Sequence, residues 1–199
     1  MKNTIAIGLC ALLAACGNSE NEKTTTTNDS MNVNVYDSNH QNMTDTNHNN
    51  TSNTTVSIDP ADTNFVSKAT LGGMTEVDLG NMANSQASSQ RVKQFGNMMV
   101  TDHTKANDEL RGLTGNMNST SPMPKEMQDT KDHLSKLNGT AFDKAYMSHM
   151  VSDHRKDIAL FEKASKDSKT PAIKDFATRT LPTLKTHLDS ALAVQKSLK

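Results

Sequence analysis

The sequence contains no tryptophan, and aromatic residues of all kinds make up only 4% of the chain. Tyr36 and Tyr146 are the two tyrosines. Recognition of sugars or bases by stacking on aromatic rings therefore has few residues to draw on. The formal net charge is −1 at pH 7, so the chain lacks the basic excess of a nucleic-acid-binding surface. We therefore predict no nucleic-acid partner.

Cysteine is scarce too, and both cysteines, Cys10 and Cys16, lie near the N-terminus. They belong to a segment typical of a signal peptide, in which Lys2 precedes an apolar run, Ile5–Leu13, that is too short to span a bilayer. The run leads into Leu-Ala-Ala-Cys, the form of a lipobox, where small residues admit the signal peptidase and the Cys16 thiol accepts diacylglycerol. We predict a signal peptide over residues 1–15 and lipidation of Cys16. The alternative is an ordinary signal peptide with a chance cysteine.

Removal of residues 1–15 and acylation of Cys16 would leave no free thiol, which excludes thiol catalysis and cysteine metal sites. The anchor predicts a membrane-attached protein of the cell envelope. Gly17 and Asn18 follow the cysteine where an aspartate would retain a lipoprotein in the inner membrane, so we expect the outer membrane, facing the periplasm. The sequence names no protein partner.

Residues 16–58 are rich in Asn, Thr, Ser and Asp and poor in apolar residues. Such a segment cannot bury enough surface to offset its ordering entropy. We interpret it as a disordered tether that follows the lipidated cysteine. His40 and His48 lie in it as isolated histidines.

Helical periodicity begins at Asp59-Pro60, an N-cap residue followed by proline at the first helical position. Four long helices are predicted from here. The first runs from residue 59 to about 85 and is capped by Asp59, and the second runs from 88 to 115 and is capped by Ser88. The third begins at the capping box Thr140–Asp143, and the fourth begins at Thr170-Pro171. A short helix, 125–137, lies in the long second connection. No segment alternates as a strand does. We predict an all-α domain over residues 59–199, a ferritin-like four-helix bundle with an extra short helix in the 2–3 crossover.

Each long helix carries one ionisable side chain on its apolar face: Glu76, His103, His154 and His187. A single such residue would mean little, but one per helix indicates a shared site, because bundles build metal centres from facing side chains. Three imidazoles and a carboxylate suit zinc, iron(II) or copper(II). These four residues are our candidate metal ligands, with a divalent transition metal as the candidate cofactor.

A short repeat supports a shared site. Met99–Lys105 and Met150–Lys156 share the pattern Met-Val-Thr/Ser-Asp-His-x-Lys, which would place His103 and His154 at one level of two parallel helices. Candidates to support the ligands are Asp102, Asp153, Tyr146 and His149. The alternative is that the pattern is merely a good amphipathic turn.

Other features bear on the site. Gly72-Gly73 and Pro182 interrupt helices near candidate ligands and predict close packing or a bend. No histidine of the three follows the Glu-x-x-His pattern of di-iron bundles. Counting residues from the predicted first turn places Glu76 about one helical turn away from His103.

Four blocks of the chain, TLGGMTEVDLGNMA, VKQFGNMMVTDHTKAN, FDKAYMSHMVSDHRKDIALFEKAS and FATRTLPTLKTHLDSA, resemble the domain-of-unknown-function 4142 family in order. The resemblance covers about residues 64–197 and implies a ferritin-like bundle in the cell envelope, often labelled a putative outer membrane protein. It implies no reaction. The positions that match the family pattern are Glu76, His103, Tyr146, Asp153, His154, Pro182 and His187; His149 is not among them.

Three functions remain open from the sequence. The one we favour is a non-enzymatic structural or interaction module whose buried histidines and carboxylates satisfy one another. The alternative is a metal-binding domain in envelope metal or oxidative-stress handling. A metallo-oxidoreductase is the least favoured, and we name no catalytic residue.

Overall fold

The computed structural model describes residues 56–115 and 122–198, so the predicted signal peptide, Cys16 and most of the tether lie outside the described residues. Within that part of the chain every regular element is helical, which confirms the all-α prediction. A 3₁₀ turn, Pro60–Asp62, precedes five α-helices: α1 Thr63–Gln86, α2 Gln90–Thr114, α3 Lys125–Leu134, α4 Gly139–Asp167 and α5 Pro171–Ser197. None of the described helices is both long and apolar enough to cross a membrane.

The four long helices form two hairpins, α1–α2 and α4–α5, that pack with α1 against α4 and α2 against α5. The first halves of α2 and α4 share one core cluster and their second halves share another. These two helices therefore run parallel, and the long connection that carries α3 crosses from one end of the bundle to the other. The helix count and the crossover agree with the predicted bundle, while the ferritin-like label stays a prediction.

One predicted cap forms, one predicted helix start is confirmed, and two predicted caps do not form. The Asp59 side chain accepts a hydrogen bond from Ala61 N at 2.8 Å, and Pro171 opens α5. The predicted Ser88 cap and the capping box at the start of α4 are wrong. The Asp143 carboxylate instead reaches the other hairpin, accepting from Ser88 N at 3.1 Å, Ser88 Oγ at 2.6 Å and Ser89 N at 2.9 Å.

A second aspartate secures the other hairpin turn in the same way. Asp62 precedes α1 and accepts bonds from Lys169 N and Thr170 N, the latter at 2.7 Å. Burial is the largest single influence on the pKa of Asp62 and raises it, but the hydrogen bonds from Thr170, Ser168 and Lys169 together outweigh burial and lower the pKa. Each hairpin thus supplies a carboxylate to the N-terminus of a helix in the other, which stabilises the two hairpins against one another.

Helix α3 is shorter than predicted and ends at Leu134 rather than residue 137. The Gln86 side-chain amide, at the end of α1, donates to the carbonyl oxygens of Leu134, Ser135 and Leu137 at 3.3, 3.1 and 2.7 Å. These bonds satisfy carbonyls that the end of a helix leaves open. Gly139, where the chain turns into α4, has a positive φ of 61°.

Glycines allow α1 and α2 to approach closely. A Cβ on Gly80 would lie 2.6 Å from Gly96 O, and one on Gly96 would lie 2.7 Å from Ala83 Cβ. A Cβ on Gly73 would meet the side-chain amide of Asn107, whereas one on Gly72 would meet nothing. Of the predicted glycine pair, Gly73 therefore serves close packing.

The core is divided into two apolar clusters with a polar layer between them. One contains residues such as Leu79, Phe95, Met99, Tyr146, Met150 and Ala191. The other contains residues such as Phe65, Leu110, Phe161, Ile173 and Leu184. On each of the four helices the candidate ligand falls between the residues of these two clusters.

Candidate metal centre

The four candidate ligands are buried together in the polar layer. Their exposed fractions are 1% for Glu76, 7% for His103, 0% for His154 and 1% for His187. One ring nitrogen from each histidine lies within 4.8 Å of one from each of the others. The ring centroids are 5.3 to 5.8 Å apart. Three separate helices thus deliver three imidazoles to one point, and we call His103, His154 and His187 the histidine trio.

Each imidazole of the trio is oriented by a hydrogen-bond partner on one of its nitrogens. His154 Nδ1 lies 3.0 Å from the carbonyl oxygen of Met150. His187 Nε2 lies 2.7 Å from Asp102 Oδ2, and His103 Nδ1 lies 2.9 Å from Glu76 Oε2. Partners of this kind fix the ring orientation and tautomer of histidines that bind metals.

The second nitrogen of each ring is buried and has no hydrogen-bond partner among the residues the structure describes: His103 Nε2, His154 Nε2 and His187 Nδ1. A neutral imidazole carries a proton on one nitrogen and a lone pair on the other. Because the Met150 carbonyl can only accept, His154 Nδ1 donates and its Nε2 keeps the lone pair. The same reasoning leaves His187 Nδ1 with a lone pair when Nε2 donates to Asp102.

Burial favours the neutral form of all three imidazoles. It lowers the pKa of His103 to about 4 and lowers the pKa of His154 and of His187 below the ordinary histidine value. The neutral imidazole is the form that binds a metal ion. Burial also raises the pKa of the Glu76 carboxyl to about 8, against the lowering effect of His154 and with a smaller raising effect of Asp153.

Glu76 lies beside the trio rather than within the group of three nitrogens. One oxygen is 2.9 Å from His103 Nδ1, and the other is 3.4 Å from His154 Nδ1. Residue counting places Glu76 about one helical turn away from His103 along the bundle, but the two side chains are long enough to bridge that distance. In this position the carboxylate orients His103 and lies close to His154, and its role as a direct ligand stays a prediction.

The four predicted supporting residues occupy different positions. Asp102 contacts His187, as described above. Tyr146 is fully buried, its hydroxyl has no partner within the described segments, and burial together with the nearby Glu76 carboxyl raises its pKa. His149 Nε2 lies 3.7 Å from Asp153 Oδ2, so these two residues contact each other rather than the trio.

Asp157 is a site residue that the sequence reasoning missed. Its carboxylate, with those of Glu76 and Asp153, supplies oxygens that lie within 4.8 Å of one another. Burial and the two neighbouring carboxylates raise the pKa of Asp157 well above its usual range. The available signal was the i, i+4, i+8 spacing of His149, Asp153 and Asp157, which forms a polar stripe on α4 next to the stripe that carries His154.

Two cavities adjoin the polar layer. One of about 310 Å³ lies between the four long helices and is lined by residues that include Asp102, His103 and His187. A surface ion pair between Arg179 and Glu109, at 2.6 Å, also contributes to its lining. The other, of about 350 Å³, is lined by residues that include His149, Asp153 and Asp157. Both are large enough to admit water and a small ion.

The family described as "Domain of unknown function (DUF4142)" matches residues 47–194, and the chain belongs to that family. A similar fold occurs in a solved structure described as "CopM in the Cu(II)-bound form", with a TM-score of 0.55 and 13% sequence identity. The similarity covers 68% of this chain and 95% of the other. No curated protein matches this chain in sequence.

Proposed function

We propose that this member of the DUF4142 family binds one divalent transition-metal ion through His103, His154 and His187. The observation that carries the proposal is the trio of buried ring nitrogens, one from each histidine, that have no hydrogen-bond partner among the described residues while the opposite nitrogen of each ring is held. Three neutral imidazoles suit zinc, copper(II) or iron(II).

The charges around the trio also suit a divalent cation. Glu76 and Asp102 each contact a histidine of the trio directly. With both carboxylates ionised, their two negative charges would balance the charge of a divalent ion that three neutral imidazoles hold. A bound cation would thereby offset the cost of burying the Glu76 carboxylate.

The sequence alone favours a metal-free polar network, and the geometry reverses that preference. A self-contained network would pair its buried polar atoms with one another. Here Glu76, Asp102 and the Met150 carbonyl pair only one nitrogen of each imidazole. The unpaired nitrogens belong to three different helices, and each ring has a nitrogen within 4.8 Å of one from each of the other two. A single metal ion bound between the rings would satisfy such an arrangement.

The similar fold described with Cu(II) supports testing copper among the metals. At 13% identity that likeness concerns the fold alone, so it does not select copper over zinc or iron. We assign no reaction to the site, and the role we propose is the holding or delivery of a metal ion.

We further propose that the protein acts in the cell envelope as a lipoprotein anchored through Cys16, at the outer membrane and facing the periplasm. The support is the apolar run and lipobox at the N-terminus and the polar segment that follows. Such a tether would hold the metal site away from the membrane surface.

The decisive experiment is a metal titration of the chelator-stripped protein with zinc, copper(II) and, without oxygen, iron(II). The wild type should bind one equivalent of at least one of these metals and gain melting temperature. A ligand at 100 times its dissociation constant adds about 2.7 kcal/mol of stability. His154→Ala should lose most of both effects because it removes a fully buried member of the trio.

His133→Ala is the matched control, since His133 is an exposed histidine on α3, outside the trio. It should bind metal as the wild type does. The proposal would be wrong if the wild type shows no stoichiometric binding, or if His154→Ala binds metal equally well. The trio would then be a metal-free polar network of the core.

A further inference from the structure

We propose that Glu76, Asp153 and Asp157, with His149 beside them, form a second divalent-cation site next to the histidine trio. The site would take a hard ion of the manganese or magnesium class. The second site would use a different set of donor atoms from the trio.

The geometry brings three carboxylates from two helices together. One oxygen each from Glu76, on α1, and from Asp153 and Asp157, on α4, lie within 4.8 Å of one another. His149 adds an imidazole nitrogen 3.7 Å from Asp153. Carboxylate oxygens with at most one imidazole are the donor set that manganese and magnesium ions prefer.

Unpaired buried atoms distinguish this cluster from an ordinary acidic surface. The Glu76 side chain is only 2% exposed, and its Oε1 has no hydrogen-bond partner in the part of the chain that the structure describes. Asp157 Oδ2 and His149 Nε2 are likewise buried and unpaired within the described segments. A buried carboxylate oxygen of this kind needs a hydrogen-bond donor, a proton or a cation.

Two lysines, Lys68 and Lys156, line the adjoining cavity, but neither forms an ion pair with the three carboxylates in the part of the chain that the structure describes. Lys156 acts on Asp157 through its charge, and its ammonium group binds Glu126 at 2.9 Å on the exposed side of the helix. The adjoining cavity of about 350 Å³ is lined by Asp153, Asp157 and His149. It gives a small hydrated ion space to approach the carboxylates.

Glu76 would then serve both sites. Its Oε2 lies 2.9 Å from His103 Nδ1, and its Oε1 lies 3.4 Å from His154 Nδ1 but has no hydrogen-bond partner within the described segments. A single carboxylate would thus orient a ligand of the histidine trio and bind an ion in the second site, which would couple the occupancy of the two sites.

The test is titration of the full, chelator-stripped chain with Mn²⁺, followed by the loss of the free-ion electron paramagnetic resonance signal. We expect the wild type to bind one Mn²⁺ and Asp157→Asn to bind it at least tenfold more weakly. Asp153→Asn is a second isosteric variant that should show the same loss. His187→Ala, which removes a trio ligand, should keep Mn²⁺ binding.

Asp167→Asn is the matched control, because it removes one carboxylate from the same helix at an exposed ion pair with Lys163. It should bind Mn²⁺ as the wild type does. The inference is overturned if the wild type binds no Mn²⁺, if both asparagine variants bind it unchanged, or if His187→Ala loses the binding while Asp157→Asn keeps it. Zinc titration of Asp157→Asn tests the trio separately and should show binding like the wild type.

Discussion

Asp102 offers a direct test of how the trio is oriented, because its side chain hydrogen-bonds one ring of the trio, that of His187. Its Oδ2 lies 2.7 Å from His187 Nε2. Replacement by asparagine keeps the shape but removes the charge. The asparagine oxygen can still accept from Nε2–H, whereas its amide group would donate to Nε2 and move the ring proton to Nδ1. The second arrangement removes the lone pair that we propose for metal binding.

The expected magnitude follows from the role of such partners at metal sites. Loss of a carboxylate that orients a metal-bound histidine lowers metal affinity about 10- to 100-fold, or roughly 1.4 to 2.8 kcal/mol. The stability of the metal-free protein should fall by only about 1 kcal/mol, since one hydrogen bond is weakened and the Asp102 side chain is already 38% exposed. In this variant the loss of metal affinity should therefore exceed the loss of metal-free stability.

The assay is competition between the protein and a chromophoric zinc chelator, with chemical unfolding of the metal-free protein measured in parallel. Asp108→Asn is the matched control, because it removes a carboxylate of the same helix that forms an exposed pair with Arg111. A zinc affinity of Asp102→Asn within about twofold of the control would refute the reasoning, since His187 would then need no such partner to bind.

Three further predictions follow from the described geometry and from the N-terminal sequence. Metal-free stability should be highest near pH 6.5, the ordinary pKa of histidine. Below that pH the unfolded chain takes up protons that the native trio excludes, because burial lowers the pKa of His103 to about 4 and also lowers those of His154 and His187. Above it stability should decline toward pH 8, because the native Glu76 carboxyl, with its raised pKa of about 8, holds a proton that the unfolded chain has already lost. Glu76→Gln should remove the alkaline decline in melts taken across this range. Asp143→Ala should lower the free energy of unfolding by about 2 to 4 kcal/mol, because a buried carboxylate that accepts three hydrogen bonds is lost, and denaturant unfolding showing less than 1 kcal/mol would contradict that role. Cys16→Ser should accumulate as an unlipidated precursor, and a normal acylated N-terminus in its mass spectrum would end the lipoprotein hypothesis.

The helices and the trio were predictable because both depend on a local property, the 3.6-residue period. Residues such as Val92, Phe95, Met99 and His103 mark the buried side of α2 whatever the other helices do. Once four such stripes face one core, a polar residue at a similar depth on each must enter the same layer. That argument requires only the period and the number of helices.

The caps and the carboxylate cluster were not predictable in this way, because each depends on contacts between distant segments. Asp143 has the sequence position of a local capping residue, yet it binds Ser88 and Ser89 of the other hairpin. Asp157 lies on a stripe that reads as solvent-facing until α1 brings Glu76 against it. Local propensity cannot distinguish a carboxylate that faces water from one that a neighbouring helix covers.

The position of the polar layer lowers the stability of the metal-free fold, and this cost bears on function. It separates two apolar clusters that would otherwise form one continuous core. Each buried polar atom left without a partner lowers the free energy of unfolding by roughly 1 to 3 kcal/mol. Replacing buried charged groups with apolar residues often leaves a protein equally stable or makes it more stable. Folding alone therefore gives little reason to bury three imidazoles and a glutamate at this depth. Metal binding supplies such a reason, because one ion would satisfy the three unpaired ring nitrogens at once and balance the ionised carboxylates that hold the rings.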